Sequence, residues 1–322
     1  MYYTLLLVFL ILSPLHAAYD PSLHLKKITR QHHKYNYTYE KVNRTVKLTV
    51  YSNNLNKTPV ILLSHGLGGT RDSMNYLASH WASRGFTVIA MQHAGSDKDV
   101  IKNAPRLRKL SVLKKAANTE NFLRRMNDVS ATLDQLTTWN RDKRHPLFEK
   151  LDLQRVAIGG HSFGAVTAQA ATGQVYPTQA AANIKDSRIL AALLLSPSGS
   201  KDGNHAKAFG SIQIPWMCMT GTKDSSIIRP SINVTSRKQV YASLPATKNK
   251  YQLVLNGAKH SAFSDTTTFS KPHKNKNHHN VIIALSTAFF EAHICKDKEA
   301  HAWLKSQAPI NLLEKSDTWE HK

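Results

Sequence analysis

The sequence predicts an α/β architecture, a mostly parallel central sheet with helices on both faces. Apolar runs of strand length alternate with stretches of helical periodicity, the pattern of parallel strands joined by crossover helices. Gly160-His161-Ser162-Phe163-Gly164 stands between the apolar Val156-Ala157-Ile158 and the Ala-rich stretch from Ala165 to Ala171. That context reads as strand, tight turn, helix. With 322 residues and 41% hydrophobic content, the chain can build one substantial core, and a single domain over 19–296 is the economical division. No internal repeat of about 20–50 residues is present, which excludes a solenoid.

The chain opens on Met1 to Ala18, with an apolar run from Leu5 to Leu12 and then Ser13-Pro14-Leu15-His16-Ala17-Ala18. This is the layout of an export signal cleaved after Ala17 or Ala18, although its first residues lack Lys and Arg. The run is too short to span a bilayer comfortably, and a retained anchor is the alternative. Export predicts a secreted or periplasmic protein. Residues 19–51 hold the first strands, and Thr45 to Val50 alternates as a half-exposed one does. Val60 to Leu63 is a buried strand. Asp72 to Arg84 reads as a helix with Asp72 near its start and Gly85 after its end. Thr87 to Met91 is a central strand. Residues 92–118 lack a period and are rich in cations; leaving a strand's C-terminal end, they line a ligand pocket or form a solvated loop. From Thr119 to Trp139, residues Phe122, Met126, Val129, Leu133 and Leu136 recur at helical spacing as a core stripe. Strands follow over 153–159, 189–195, 214–220 and 251–255, then a core helix from Val281 to His293 and a polar tail over 297–322.

The chemistry-bearing residues fall just past these strands. Ser162 sits at the tight turn, where two glycines let the backbone bend sharply and leave the hydroxyl exposed. The N–H of Phe163, at the start of the next helix, is the first candidate donor to an oxyanion. Ser64-His65-Gly66-Leu67-Gly68-Gly69 follows the strand ending at Leu63, and the N–H of Leu67 is the candidate second donor. The phosphate-loop pattern is missing there, which discounts a nucleotide site. Asp224 lies in the polar turn Gly221-Thr222-Lys223-Asp224-Ser225, and His260 in the loop after the strand over 251–255. Ser, acid and His thus occur in the order that a nucleophile, its orienting acid and its base take in this architecture. Phe163, Trp216 and Phe263 read either as an apolar pocket lining or as plain core.

Taken together, the Ser64-His65-Gly66-Leu67-Gly68-Gly69 loop, the stretch Tyr76 to Ala90 and Gly160-His161-Ser162-Phe163-Gly164-Ala165 resemble the α/β-hydrolase superfamily. More narrowly, they look like the branch of platelet-activating-factor acetylhydrolases and predicted dienelactone hydrolases. The resemblance spans roughly residues 45–295 and implies an α/β-hydrolase fold and serine hydrolysis of esters, with no metal or other cofactor. Two departures stand out. Dienelactone hydrolases use a cysteine where Ser162 stands. The acetylhydrolase acid follows the strand after the nucleophile helix, yet here that strand ends in Ser196-Pro197-Ser198, which moves the acid to Asp224.

The formal charge is +22, from 43 Lys and Arg against 21 Asp and Glu. It describes either a solvated basic surface or attraction to something acidic, such as anionic lipid, an anionic polymer or an anionic substrate. No nucleic-acid-binding signature accompanies the charge. Cys218 and Cys295 are either a disulfide or a buried thiol and its distant companion. Asn36, Asn43, Asn56 and Asn233 stand in N-x-Ser/Thr patterns, which matter only in a eukaryotic host. The His-rich stretch 271–279 has no acid or Cys beside it and reads as a solvated loop rather than a metal site. These features predict an exported serine hydrolase that cleaves small-molecule or lipid carboxylic esters through an acyl-enzyme. The alternative is a binder of acidic envelope components, non-catalytic or with a second role, on a hydrolase scaffold.

Overall fold

The computed structural model describes residues 19–24, 31–40, 43–53, 55–177, 184–246, 249–265 and 275–322. The expected export signal at 1–18 lies outside the described residues, as does 271–274 of the His-rich stretch. The chain builds a 9-stranded sheet of order β1-β2-β4-β3-β5-β6-β7-β8-β9. β1 (Gln31–Tyr39) and β2 (Arg44–Ser52) form an antiparallel pair at one edge. β3 (Thr58–Ser64), β4 (Thr87–Gln92), β5 (Leu151–His161), β6 (Ile189–Leu195), β7 (Trp216–Lys223) and β8 (Lys250–Lys259) run parallel through the centre. β9 (Thr318–His321) closes the other edge antiparallel to β8.

The central strands read as near-continuous apolar runs because both faces are covered. Every residue of β3 and β4 is buried. Alternate side chains serve opposite cores: Ile61 and Leu63 pack with α1 (Asn75–Ser83) and α7 (Lys276–Ile294), through Trp81 and Phe290. Val60 and Leu62 join the other cluster with α3 (Thr119–Arg141), α4 (Phe163–Ala171) and α6 (Val234–Ala242), through Leu133, Ala168 and Val240. Trp216 and Phe263 are fully buried in these two cores, which settles them as core rather than pocket.

Some boundaries differ from the sequence expectation. α1 begins at Asn75, not Asp72, because side chains hold the preceding residues in a turn: Thr70 N–H donates to Ser73 Oγ at 2.8 Å and Asp72 accepts from Thr49 Oγ1 at 2.9 Å. The cationic segment after β4 is partly ordered as 3-10 turns at Lys98–Ile101 and Arg106–Arg108 and then α2 (Lys109–Ala116). Residues 297–322, set apart in the sequence as a polar tail, form α8 (Lys298–Lys305), α9 (Ala308–Asn311) and β9. Leu304 of α8 is buried in the core, and Trp319 of β9 stacks on Tyr251 at 5.6 Å between ring centroids. Cys218, buried, and Cys295, half-buried, are both free thiols.

Candidate active site

The parallel strands point their C-terminal ends one way, so the loops that leave them meet at one edge of the sheet. β5 passes into α4 at Ser162, whose φ of 57 and ψ of −115 are unusual for a residue with a Cβ. The neighbours permit the turn: a Cβ on Gly160 would overlap the Gly164 carbonyl, and one on Gly164 would overlap the Ser64 carbonyl. Ser162 N–H is held by Leu195 O at 2.9 Å. The elbow is therefore clamped by β6 on one side and by the end of β3 on the other.

Ser162, His260 and Asp224 come together here. Ser162 Oγ lies 2.9 Å from His260 Nε2, and His260 Nδ1 lies 2.7 Å from Asp224 Oδ1. The Asp224 side chain has no solvent exposure, whereas the His260 ring keeps 32% of its surface open. Burial alone would raise the Asp224 carboxyl, but the His260 hydrogen bond and the Arg237 charge outweigh it and hold the group below the usual carboxylate range. Thr220 Oγ1 donates to the second carboxylate oxygen at 2.9 Å.

The two candidate oxyanion donors stand in the elbow and in the neighbouring Gly66-Leu67 loop. Phe163 opens α4, so its N–H has no helical acceptor. Among the described residues, neither that N–H nor the Leu67 N–H has a hydrogen-bond partner. Gly66 brings the loop in close, since a Cβ there would stand 3.4 Å from Ser162 Cβ. The loop is fixed from behind by Gly68 N–H to Ser96 O at 2.8 Å and Gly69 N–H to Gly66 O at 3.0 Å.

Several supporting residues carry no motif and escape a sequence reading. Arg237 of α6 is buried and donates through Nε to Asp224 O at 2.8 Å, and through Nη1 to Ser196 O at 2.6 Å and Pro197 O at 2.8 Å. Its Nη2 also lies 3.3 Å from His260 Nδ1. With Nδ1–H committed to the Asp224 carboxylate, that approach is a proximity of two donors and not a hydrogen bond. His161 is kept uncharged by burial and by the neighbouring His260, well below the ordinary histidine range. Its Nε2 faces His260 O at 3.1 Å, and since a carbonyl only accepts, Nε2 carries the proton.

Behind the Gly66-Leu67 loop lies a second, closed polar network. Ser64 Oγ is 2.9 Å from His93 Nε2, and His93 Nδ1 is 2.8 Å from Asp128 Oδ2. These distances match the Ser162 relay, but His93 and Asp128 have no solvent exposure, so no substrate reaches the pair. Arg44 grips Asp128 with two bonds of 2.6 and 2.8 Å. Arg125, fully buried, donates to His65 O at 2.7 Å, and its guanidinium carbon stands 4.3 Å above the Phe163 ring. Burial pushes Arg125 down to about 9, which leaves it charged at neutral pH. The cationic segment divides likewise: His93 and Asp97 are buried, whereas its lysines and arginines are exposed apart from the half-buried Lys109. Among the described residues, no cluster of three or more His, Cys, Asp or Glu is arranged to hold a metal.

No curated protein matches the chain. A family model described as PETase, PET hydrolase-like, matches residues 47–274, a span that includes Leu67, Ser162, Phe163, Asp224 and His260. The strand order, the elbow and that match lead to one conclusion: the chain belongs to the PETase (PET hydrolase-like) family, within the α/β-hydrolase superfamily.

Proposed function

We propose that this protein is an exported serine hydrolase of carboxylic esters working through an acyl-enzyme. The observation that carries the reading is the relay of 2.9 Å from Ser162 Oγ to His260 Nε2 and 2.7 Å from His260 Nδ1 to a buried Asp224. His260 Nε2 takes the Ser162 proton as Oγ attacks the ester carbonyl carbon. Asp224 fixes the Nδ1–H tautomer and stabilises the imidazolium that forms. The carbonyl oxygen becomes an oxyanion held by the N–H groups of Phe163 and Leu67, a contribution of about 3–4 kcal/mol for one such donor. The tetrahedral adduct collapses, His260 protonates the leaving alcohol, and the acyl group stays on Ser162. Water, deprotonated by His260, then releases the carboxylic acid. The His161 bond to the His260 carbonyl and the Arg237 bonds around Asp224 keep base and acid in register.

The family description, PET hydrolase-like, supports esters as the substrate class, whether small molecules, lipids or polymers. The apolar run at the N-terminus supports export to the periplasm or the exterior, and the +22 charge supports action near acidic surfaces. The test is turnover of p-nitrophenyl esters from acetate to decanoate, wild type beside Ser162→Ala. The reading expects a folded variant with activity lower by several orders of magnitude, and a chain-length optimum that sizes the acyl site. A variant that keeps most of its turnover removes Ser162 from the reaction.

A further inference from the structure

The cationic segment after β4 remains unused by the chemistry above. Lys98, Lys102, Arg106, Arg108, Lys114 and Lys115 are all exposed, and among the described residues none of them is in an ion pair. The two acids of the stretch 98–124 are already matched, Asp99 by Lys47 at 3.7 Å and Glu120 by Arg124 at 2.6 Å. Leu107, between two arginines at the turn before α2, is 97% exposed. Both ends of the segment are stitched to the loops of the candidate site. Lys98 N–H donates to Gly69 O at 2.9 Å, and Arg229 Nη2, in the loop after Asp224, donates to Ala117 O at 2.8 Å. That same loop carries another exposed apolar side chain, Ile227, at 56%.

We propose that residues 98–115 form a docking surface for an anionic lipid bilayer, with Leu107 entering the headgroup boundary and the surrounding cations meeting lipid phosphates. Excess unpaired positive charge complements an anionic leaflet and concentrates the protein there. The apolar tip distinguishes a bilayer from an anionic polysaccharide or nucleic acid, which would use the cations and leave Leu107 in water. An apolar residue flanked by Arg and Lys is the composition of a segment that lies in the interface plane. Docking by this segment sets the C-terminal edge of the sheet, and with it Ser162, against the membrane. This consequence rests on the ester-hydrolase reading, whereas the docking itself does not.

The test uses Ser162→Ala protein, so that binding is read without turnover. It is sedimented at low salt with vesicles of phosphatidylcholine, with and without phosphatidylglycerol. The proposal expects sedimentation that depends on phosphatidylglycerol. Replacing Arg106, Arg108 and Lys114 together by Gln should weaken partitioning on the order of 100-fold, from the loss of three surface cations. Leu107→Asn should weaken it about 10-fold through lost apolar insertion. Replacing Arg141, Lys143 and Arg144 by Gln, at the opposite end of the strands, removes the same charge and should change it less than about 3-fold. Absence of phosphatidylglycerol dependence, an equal loss in the control, or an unchanged Leu107→Asn each overturns the proposal. In the Ser162 enzyme, the patch variants should keep their turnover of dissolved p-nitrophenyl acetate. Turnover without docking rejects this surface alone, and docking without any turnover rejects the ester reading alone.

Discussion

Asp224 and Arg237 form a buried pair whose worth depends on both members. The Arg237 Nε lies 3.2 Å from Asp224 Oδ1 while the same guanidinium satisfies three backbone carbonyls. Arg237→Met leaves those carbonyls without donors and the carboxylate without its countercharge. Removing one partner of such a pair costs about 3–5 kcal/mol. The expected result is a clear drop in melting temperature together with a loss of turnover on p-nitrophenyl esters. Arg237→Lys should recover little of either, because one ammonium cannot span the fork that the guanidinium spans. A variant that melts and turns over like wild type would show the pair to be dispensable. Nothing in the sequence signals Arg237, since it stands on a short helix, Val234–Ala242, that carries no catalytic pattern. Ser162, Asp224 and His260 were legible because the chemistry demands those types in that order past strands, whereas a supporting arginine is demanded only by geometry.

The elbow and the Gly66-Leu67 loop are one unit at the level of elements. α4 approaches the end of β3 so closely that Gly164 has no room for a side chain beside the Ser64 carbonyl. Gly164→Ala should force these segments apart, at a cost of about 1–3 kcal/mol or more, and widen the gap between the Phe163 and Leu67 donors. The expected signature is a fall in kcat larger than the change in KM, measured on the soluble fraction. An unchanged kcat would separate the loop from the reaction. The positions of β3 to β8 and their mostly parallel arrangement were legible, because apolar runs buried on both faces leave little choice of assignment; the strand order came only from the structure. The C-terminal segment was not, because a four-residue edge strand such as Thr318–His321 has one face in solvent and no apolar run. Its place comes from pairing with β8 and from Trp319 on Tyr251. Deleting residues from Thr318 onward should bare the β8 edge, lower the melting temperature and promote aggregation, read by circular dichroism and light scattering. A truncated chain that stays monomeric with an unchanged melting curve would contradict that role for β9.

Acid sensitivity is a property of the whole molecule. Burial, with the nearby Arg125 charge, pushes His93 down to about 4, and burial pushes His80 down to about 4 as well. In the unfolded chain both rings take up a proton near pH 6.5, while the folded chain resists until about 4. The stability they confer is therefore complete above about pH 6.5 and is lost progressively as pH falls towards 4. Asp224, held below the usual carboxylate range, adds a loss that begins only below about pH 4. The melting temperature should thus decline between about pH 7 and pH 5, and less steeply in His93→Asn than in wild type. A flat profile over that range would contradict the neutral buried state of these rings. The charge of +22 was plain in the sequence, but its arrangement was not. The cation-rich stretch 92–118 stood out in the sequence, but composition gives no hint of which of its cations the fold leaves unpaired.

On the ester-hydrolase reading, the exposed Ser162 relay reacts and its closed counterpart at Ser64 does not. A p-nitrophenyl phosphonate ester, which forms a stable bond to an activated serine, separates the two by peptide mass spectrometry. A single adduct on Ser162 is expected, lost in His260→Ala, with none on Ser64. An adduct on another residue, or none on folded wild-type protein, would contradict that reading.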